Sequence, residues 1–267
     1  MNKYEFVEGD YKVIAPGRTV KRIRTIAAIV ALGLPEQTLG GYIESEANLS
    51  QMYGDAWVYG DAQLSGNAWV SGDARVGGNA QVFGNARVYG NARVYGDAQL
   101  SGDTRVSGDA RVSGNARVSG DARVYGDARV YGDAWVSGDA QVFDDAQVSG
   151  DAQLSGNARV YGDAQLSGDA RVSGDAQLSG NARVYGDASL LMVGPIGSRK
   201  AMLTVHADAK IGARFTTGCF SGSRDEFFDA ITKTHGESEH GNAYAAALML
   251  SDILVKPWNK TLLKEQA

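Results

Sequence analysis

The sequence predicts an all-β solenoid, a single-stranded parallel β-helix of about 18 residues per coil, with a cap at either end. Three observations predict it. Residues 53–191 repeat every six positions without insertion, each unit reading Gly-Asp/Asn-Ala-x-Val/Leu-x. Val or Leu recurs at every sixth position from Val58 to Leu190. Ala stands two positions before it from Ala56 to Ala188, replaced once by Thr104.

The chemistry of the unit explains the coil. Side chains alternate along a strand, so Ala and Val share one face and the residue between them points away. That middle residue is mostly Arg, Gln or Trp, and the one after Val mostly Ser, Tyr or Phe. Gly followed by Asp or Asn supplies a corner, because these residues tolerate positive φ. Asp144-Asp145 departs from that dipeptide, which implies a corner that either dispenses with positive φ or bears its cost. A short strand and a corner every six residues close a triangular coil after three units. A flatter coil of two units fits the same period, but small Ala throughout favours the triangle. About eight coils at interstrand spacing give a rod of roughly 35–40 Å.

Three units per coil stack like positions on three faces. The first carries Trp57, Arg75, Arg93, Arg111 and Arg129; the second Trp69, Arg87, Arg105, Arg123, Gln141 and Arg159. The third, with Gln63, Gln81, Gln99, Arg117 and Trp135, is plainer. Aromatic residues gather on the first two faces, notably Tyr89, Tyr125, Phe143 and Tyr161 on the second. Corner Asp residues two positions before an Arg are expected to offset the stacked charges.

The flanks do not repeat. In the N-terminal cap, residues 1–52, strands are expected at 12–14 and 19–30 around the turn Ala15-Pro16-Gly17, and a tight turn at 39–43. The apolar run 26–34 is too short to span a membrane and reads as a buried strand or cap segment. Trp57 and Trp69 are expected to pack beneath this cap, the alternative being a ligand platform. The C-terminal unit, residues 192–267, reads as α+β. Strands are expected at 203–209 and 210–217, and helices at 224–234 and 242–254, capped by Ser223 and Asn242. Ala246, Met249, Leu250 and Ile253 form an apolar helix face expected to lie on the rod's end. The tail from Lys256 is expected to be loosely held.

A net charge of −5 argues against a generally basic nucleic-acid binder. A single cysteine, Cys219, forbids an internal disulfide and suits a reducing compartment. No secretory signal opens the chain, so a cytoplasmic location without membrane attachment is expected.

The run Leu39-Gly40-Gly41-Tyr42-Ile43-Glu44-Ser45-Glu46-Ala47-Asn48-Leu49-Ser50-Gln51, leading into the Gly-Asp-Ala units, resembles hexapeptide-repeat proteins of enterobacteria and their prophages. Some of these carry an acetyltransferase label. The tail motifs Gly197-Ser198-Arg199, Gly218-Cys219-Phe220-Ser221-Gly222-Ser223 and Thr234-His235-Gly236 are similar to the end segment of phage-encoded proteins of unknown role. The resemblance implies a left-handed β-helix, a bacterial or prophage origin and no established activity.

Acyl transfer, the best-known chemistry on that fold, needs a general base and a walled cleft. No His precedes His206, and no loop leaves the coil between Gly54 and Leu190. Cys219 with the three histidines is a formal nucleophile set, but a small buried hydrophobe on a strand is the plainer reading of Cys219. His235 and His240 match no firm zinc spacing and read as solvated loop histidines. One Thr in the rod argues against ice binding, and 17 Asp against 11 Arg is too mild for a DNA mimic. No catalytic, metal or cofactor residue is therefore assigned. The expected function is a non-enzymatic structural or binding protein presenting a rigid rod to a protein or polymer partner, with self-association left open. The alternative is an acetyl-coenzyme A dependent acyltransferase. A periodic rod binds alike along its length, so a specific site is expected where the repeat breaks: Arg199, Cys219, Arg224 and His235 in the C-terminal unit, and Trp135 in mid-rod.

Overall fold

The computed structural model describes residues 2–52, 54–185, 190–208 and 210–265, with side chains given as far as Leu254 except at Tyr185. Residues 186–189, where the sequence leads one to expect a corner, Ala209 and the tail side chains lie outside the described residues. Between the two ends, each repeat unit contributes a strand of two or three residues. Arg93 pairs with Arg75 on one side and Arg111 on the other, so one coil is three units and the triangular form holds. Three sheets result, parallel within the rod, of eight and seven strands for the first and second faces and of ten for the third, which also takes in three cap strands. Neighbouring coils are joined by regular backbone bonds, such as Asn91, Arg93 and Tyr95 N–H donating to Gly108, Ala110 and Val112 carbonyls at 2.9 Å each.

Ala and Val/Leu fill the interior and are essentially inaccessible from coil to coil. Thr104, the exception among the alanines, is buried too, and its hydroxyl donates to the Ser101 carbonyl at 2.5 Å. That local bond lets a hydroxyl enter a dry core without being left unpaired.

The N-terminal cap differs from expectation in its bounds. Strand β1 (Tyr4–Ala15) is longer and β2 (Arg18–Thr25) shorter than the sequence implies, and they pair antiparallel. Strand β3 (Leu39–Ile43) is not the tight turn expected there. It pairs antiparallel with β2 and parallel with Gln63–Leu64, so it is at once the last cap strand and the first strand of the third face. Glycines 40 and 41 signal a turn but are there for clearance. A Cβ on Gly40 would lie 2.8 Å from the Trp57 ring. Trp57 is fully buried under the cap, edge-on to Tyr4 at 6.3 Å. Trp69 is not covered and stays 41% exposed. The run 26–34 is a cap segment and not a buried strand. It bends through a 3-10 turn, Val30–Leu32, burying Ile29 and leaving Val30 exposed. Buried Asn48 donates to the Gly66 and Ala68 carbonyls and so closes the first partial coil.

At the far end, four antiparallel strands, Leu190–Ile196, Ala201–Asp208, Gly212–Thr217 and Phe220–Gly222, form one sheet. Alternation gives it two faces. Leu190 and Met192 pack on the rod core, and the Gln177 amide donates to the Thr204 hydroxyl at 3.3 Å. The opposite face, with Leu203, Val205 and Phe215, is covered by Phe227 and Ile231 of α1 (Arg224–His235) and Tyr244 and Leu248 of α2 (Glu239–Glu265). Ser223 caps α1 in a capping box with Glu226. Asn242 does not cap α2, which starts three residues earlier, after Ser238. The apolar face expected to meet the rod is also corrected. Ala246, Met249, Leu250 and Ile253 face solvent, while Tyr244, Ala247, Leu248 and Ser251 are buried. Both stripes have helical spacing, and only the sheet's position chooses between them.

Candidate functional site

The residues singled out from sequence fall in three places. Arg199, Cys219 and His235 converge on one cavity of about 250 Å³ in the C-terminal unit. Arg199 follows the Leu190–Ile196 strand, in the turn before Ala201, and Cys219 sits in the turn before Phe220. These two turns are brought together by the antiparallel sheet, and the Arg199 Nη1 donates to Cys219 Sγ at 3.9 Å. Cys219 is exposed, which overturns the expectation of a buried hydrophobe: it occupies a turn, not a strand. His235, the last residue of α1, is half-buried rather than a solvated loop residue, and stacks on the Tyr244 ring at 5.6 Å. No hydrogen bond joins Cys219 to His235 among the described residues.

Phe220, Phe227 and Ile231 supply the cavity's apolar wall, and Thr217 and Thr234 add hydroxyls. Nothing in the sequence marks Thr217 for this role. It shares a strand face with Phe215 by period-two alternation, so it points toward the helices, and its buried hydroxyl has no hydrogen-bond partner among the described residues. Gly197, at φ +74°, lets its turn approach Tyr244, since a Cβ there would meet the phenol ring.

Arg224 is not part of this cavity. Its Nε and Nη2 donate to Asp252 at 2.6 and 2.7 Å, clamping the start of α1 to α2. Two hydrogen bonds to one carboxylate push its pKa further up. Among the described residues no group of three His, Cys, Asp or Glu side chains is placed to hold a metal.

Against the rod lies a different set. Burial pushes the His206 imidazole down to about 4, the main cause being loss of solvent around a fully enclosed ring. Its Nδ1 lies 3.1 Å from the Ala207 carbonyl. Burial opposes ionisation of neighbouring Asp208, but the Arg214 guanidinium at 2.7 Å and the Lys210 and Ile211 amides outweigh it and hold the carboxyl low.

Trp135 is elsewhere, 47% exposed on the rod's third face, its Nε1 3.5 Å from the Ser119 hydroxyl. The second face is richer. Tyr125, Phe143 and Tyr161 stack as parallel rings at 4.9 Å intervals. Nearer the N-terminal cap, Trp69, Arg87, Tyr89 and Arg105 border a shallow recess of about 200 Å³. The offset expected between arginines and corner aspartates is not made by contact. Ion pairs among the described residues lie in the two terminal units and where the N-terminal cap grips Asp61, and none joins a rod Arg to a corner Asp. Corner residues instead bond up their own edges, as Asn79 does to Asp97 and Asn115 to Asp133.

The rod is similar to a known repeat. The family model described as YdcK Beta solenoid repeat matches residues 62–78, 80–96, 86–102, 104–120, 110–124, 122–138, 152–165, 164–176 and 176–190. These segments all lie in the rod, whose repeats are similar to that β-solenoid repeat. No curated protein matches the chain.

Proposed function

We propose that this protein is a non-enzymatic binding protein, a rigid capped rod that engages an extended protein or polymer partner along its second face. The observation that carries this reading is the stacked ladder of Tyr125, Phe143 and Tyr161 beside arginines that make no ion pair among the described residues. Aromatic rings and arginines are what interfaces enrich, because both offer large contact area with directional donors. A ladder fixed by the backbone stack loses little ordering entropy on binding. The corner aspartates flanking the face disfavour nucleic acid and favour a partner of mixed or neutral character.

The competing reading, acyl transfer from acetyl-coenzyme A, is separated by thermal shift. A ligand of the folded state at a hundred times its dissociation constant adds about 2.7 kcal/mol, a readily visible rise in melting temperature. The expected result with acetyl-coenzyme A is no saturating shift. A saturating shift lost in His235→Gln would overturn the binding-protein reading in favour of the enzyme.

A further inference from the structure

The geometry points to the C-terminal cavity as a binding site for a small organic monocarboxylate with a short apolar body. This is independent of the rod's second face and of what binds there.

Charge selects the ligand's sign. Among the described residues, Arg199 is the one permanently charged side chain lining the cavity, and no Asp or Glu lines it. Its guanidinium has a long contact to the Cys219 sulfur, a weak acceptor, so its strong donors remain to be used. Arginine's planar fork matches a carboxylate's two oxygens. The wall of Phe220, Phe227 and Ile231 selects the body, since an apolar group there leaves water at no polar cost. Thr217 supplies the second, independent indication. Its hydroxyl is buried, turned to this side of the sheet and unpartnered among the described residues. Leaving such a group unpaired is unfavourable, and a hydrogen bond to a ligand oxygen would recover the loss.

Size selects the length. A cavity of about 250 Å³ holds roughly eight waters at ~30 Å³ each. An anion of about that many non-hydrogen atoms fits, such as hexanoate or benzoate.

Isothermal titration of the full chain with hexanoate and benzoate tests this. Saturable binding of at least one is expected, tighter than about 1 mM. Arg199→Gln should weaken it about tenfold or more, the loss expected for a charge-assisted pair, and Thr217→Val several-fold. Arg224→Gln should leave it unchanged. 1-Hexanol should bind at least about tenfold more weakly than hexanoate. Arg199 is exposed, so its variant should keep the wild-type melting temperature, and a retained melt assigns the loss to the contact. No saturable binding of either carboxylate overturns the proposal, as does equal binding by wild type and Arg199→Gln. Inorganic phosphate binding more tightly than hexanoate would also overturn it, by showing an anion site with no use for the apolar wall.

Discussion

Gly126 and Asp144 occupy the same corner in successive coils, and a Cβ placed on Gly126 would lie 2.9 Å from the Asp144 amide nitrogen. Corners therefore stack too closely for side chains, a second demand for glycine beyond its φ of +70°. Gly126→Ala should combine left-handed strain with overpacking and cost on the order of 2–4 kcal/mol. Gly174 has φ +66°, but a Cβ added there would meet nothing within 4 Å. Gly174→Ala should cost only the conformational part, about 1 kcal/mol. Denaturant melts of the two variants check this; equal losses would mean that clearance between corners plays no part.

Asp144 itself keeps the corner's conformation, with φ +57°. Of the two outcomes its sequence leaves open, it bears the cost. Its carboxylate accepts from the Gly162 amide of the next coil at 3.2 Å, a bond between stacked corners that glycine cannot make.

Inside and outside are sharply divided. Val124 has no accessible surface, and Arg123 beside it is exposed. Val124→Asp should destabilise by several kcal/mol or prevent folding, because it puts a charge in a dry core. Arg123→Gln should stay within about 0.5 kcal/mol. Thermal unfolding of both variants is the check, and similar losses would refute the assignment.

The plug at the rod's end should respond to acid. His206 titrates at about 4 in the folded chain against 6.5 for a free imidazole, so the unfolded chain binds the proton more tightly. Its contribution is complete above about pH 6.5 and is lost as pH falls toward 4, by up to about 3 kcal/mol. The lowered carboxyls Glu44 and Asp208 lose their contributions only further down, below their free values of 4.5 and 3.8. Stability should therefore fall between pH 6.5 and 4.5 in wild type, with a shallower slope in His206→Gln. Parallel slopes would show that His206 is not the group responsible.

The C-terminal sheet covers the last coil through the Ala182–Asp208 bridge and through Leu190 and Met192. Deleting residues 198–267 should leave an open strand edge and an aggregating rod, seen by light scattering. A monodisperse, folded rod would show that the unit is dispensable for solubility.

How much of the structure is legible in the sequence depends on periodicity. The coil, its inward Val124 and outward Arg123 can be read because a strict six-residue repeat averages out local ambiguity. Arg199, Cys219 and His235 stand out as candidates, but not as one cavity. What joins them is an antiparallel sheet whose register no local pattern encodes. Thr217 escapes notice for the same reason, and Met249 and Leu250 read as inward because two apolar stripes compete on α2. β3 is hidden by Gly40 and Gly41, residues that signal turns but here make room for Trp57 and Val58.

The most direct test of a second-face interface is retention of a partner from the host's lysate by immobilised wild-type protein and two surface variants of equal melting temperature. One removes the second face's ladder (Arg105→Gln, Arg123→Gln, Tyr125→Ser, Tyr161→Ser), and the other alters the third face (Gln81→Ser, Gln99→Ser, Gln153→Ser). Wild type and the third-face variant are expected to hold the same partner, and the second-face variant to lose it. Retention by all three, or by none, would contradict binding along that face.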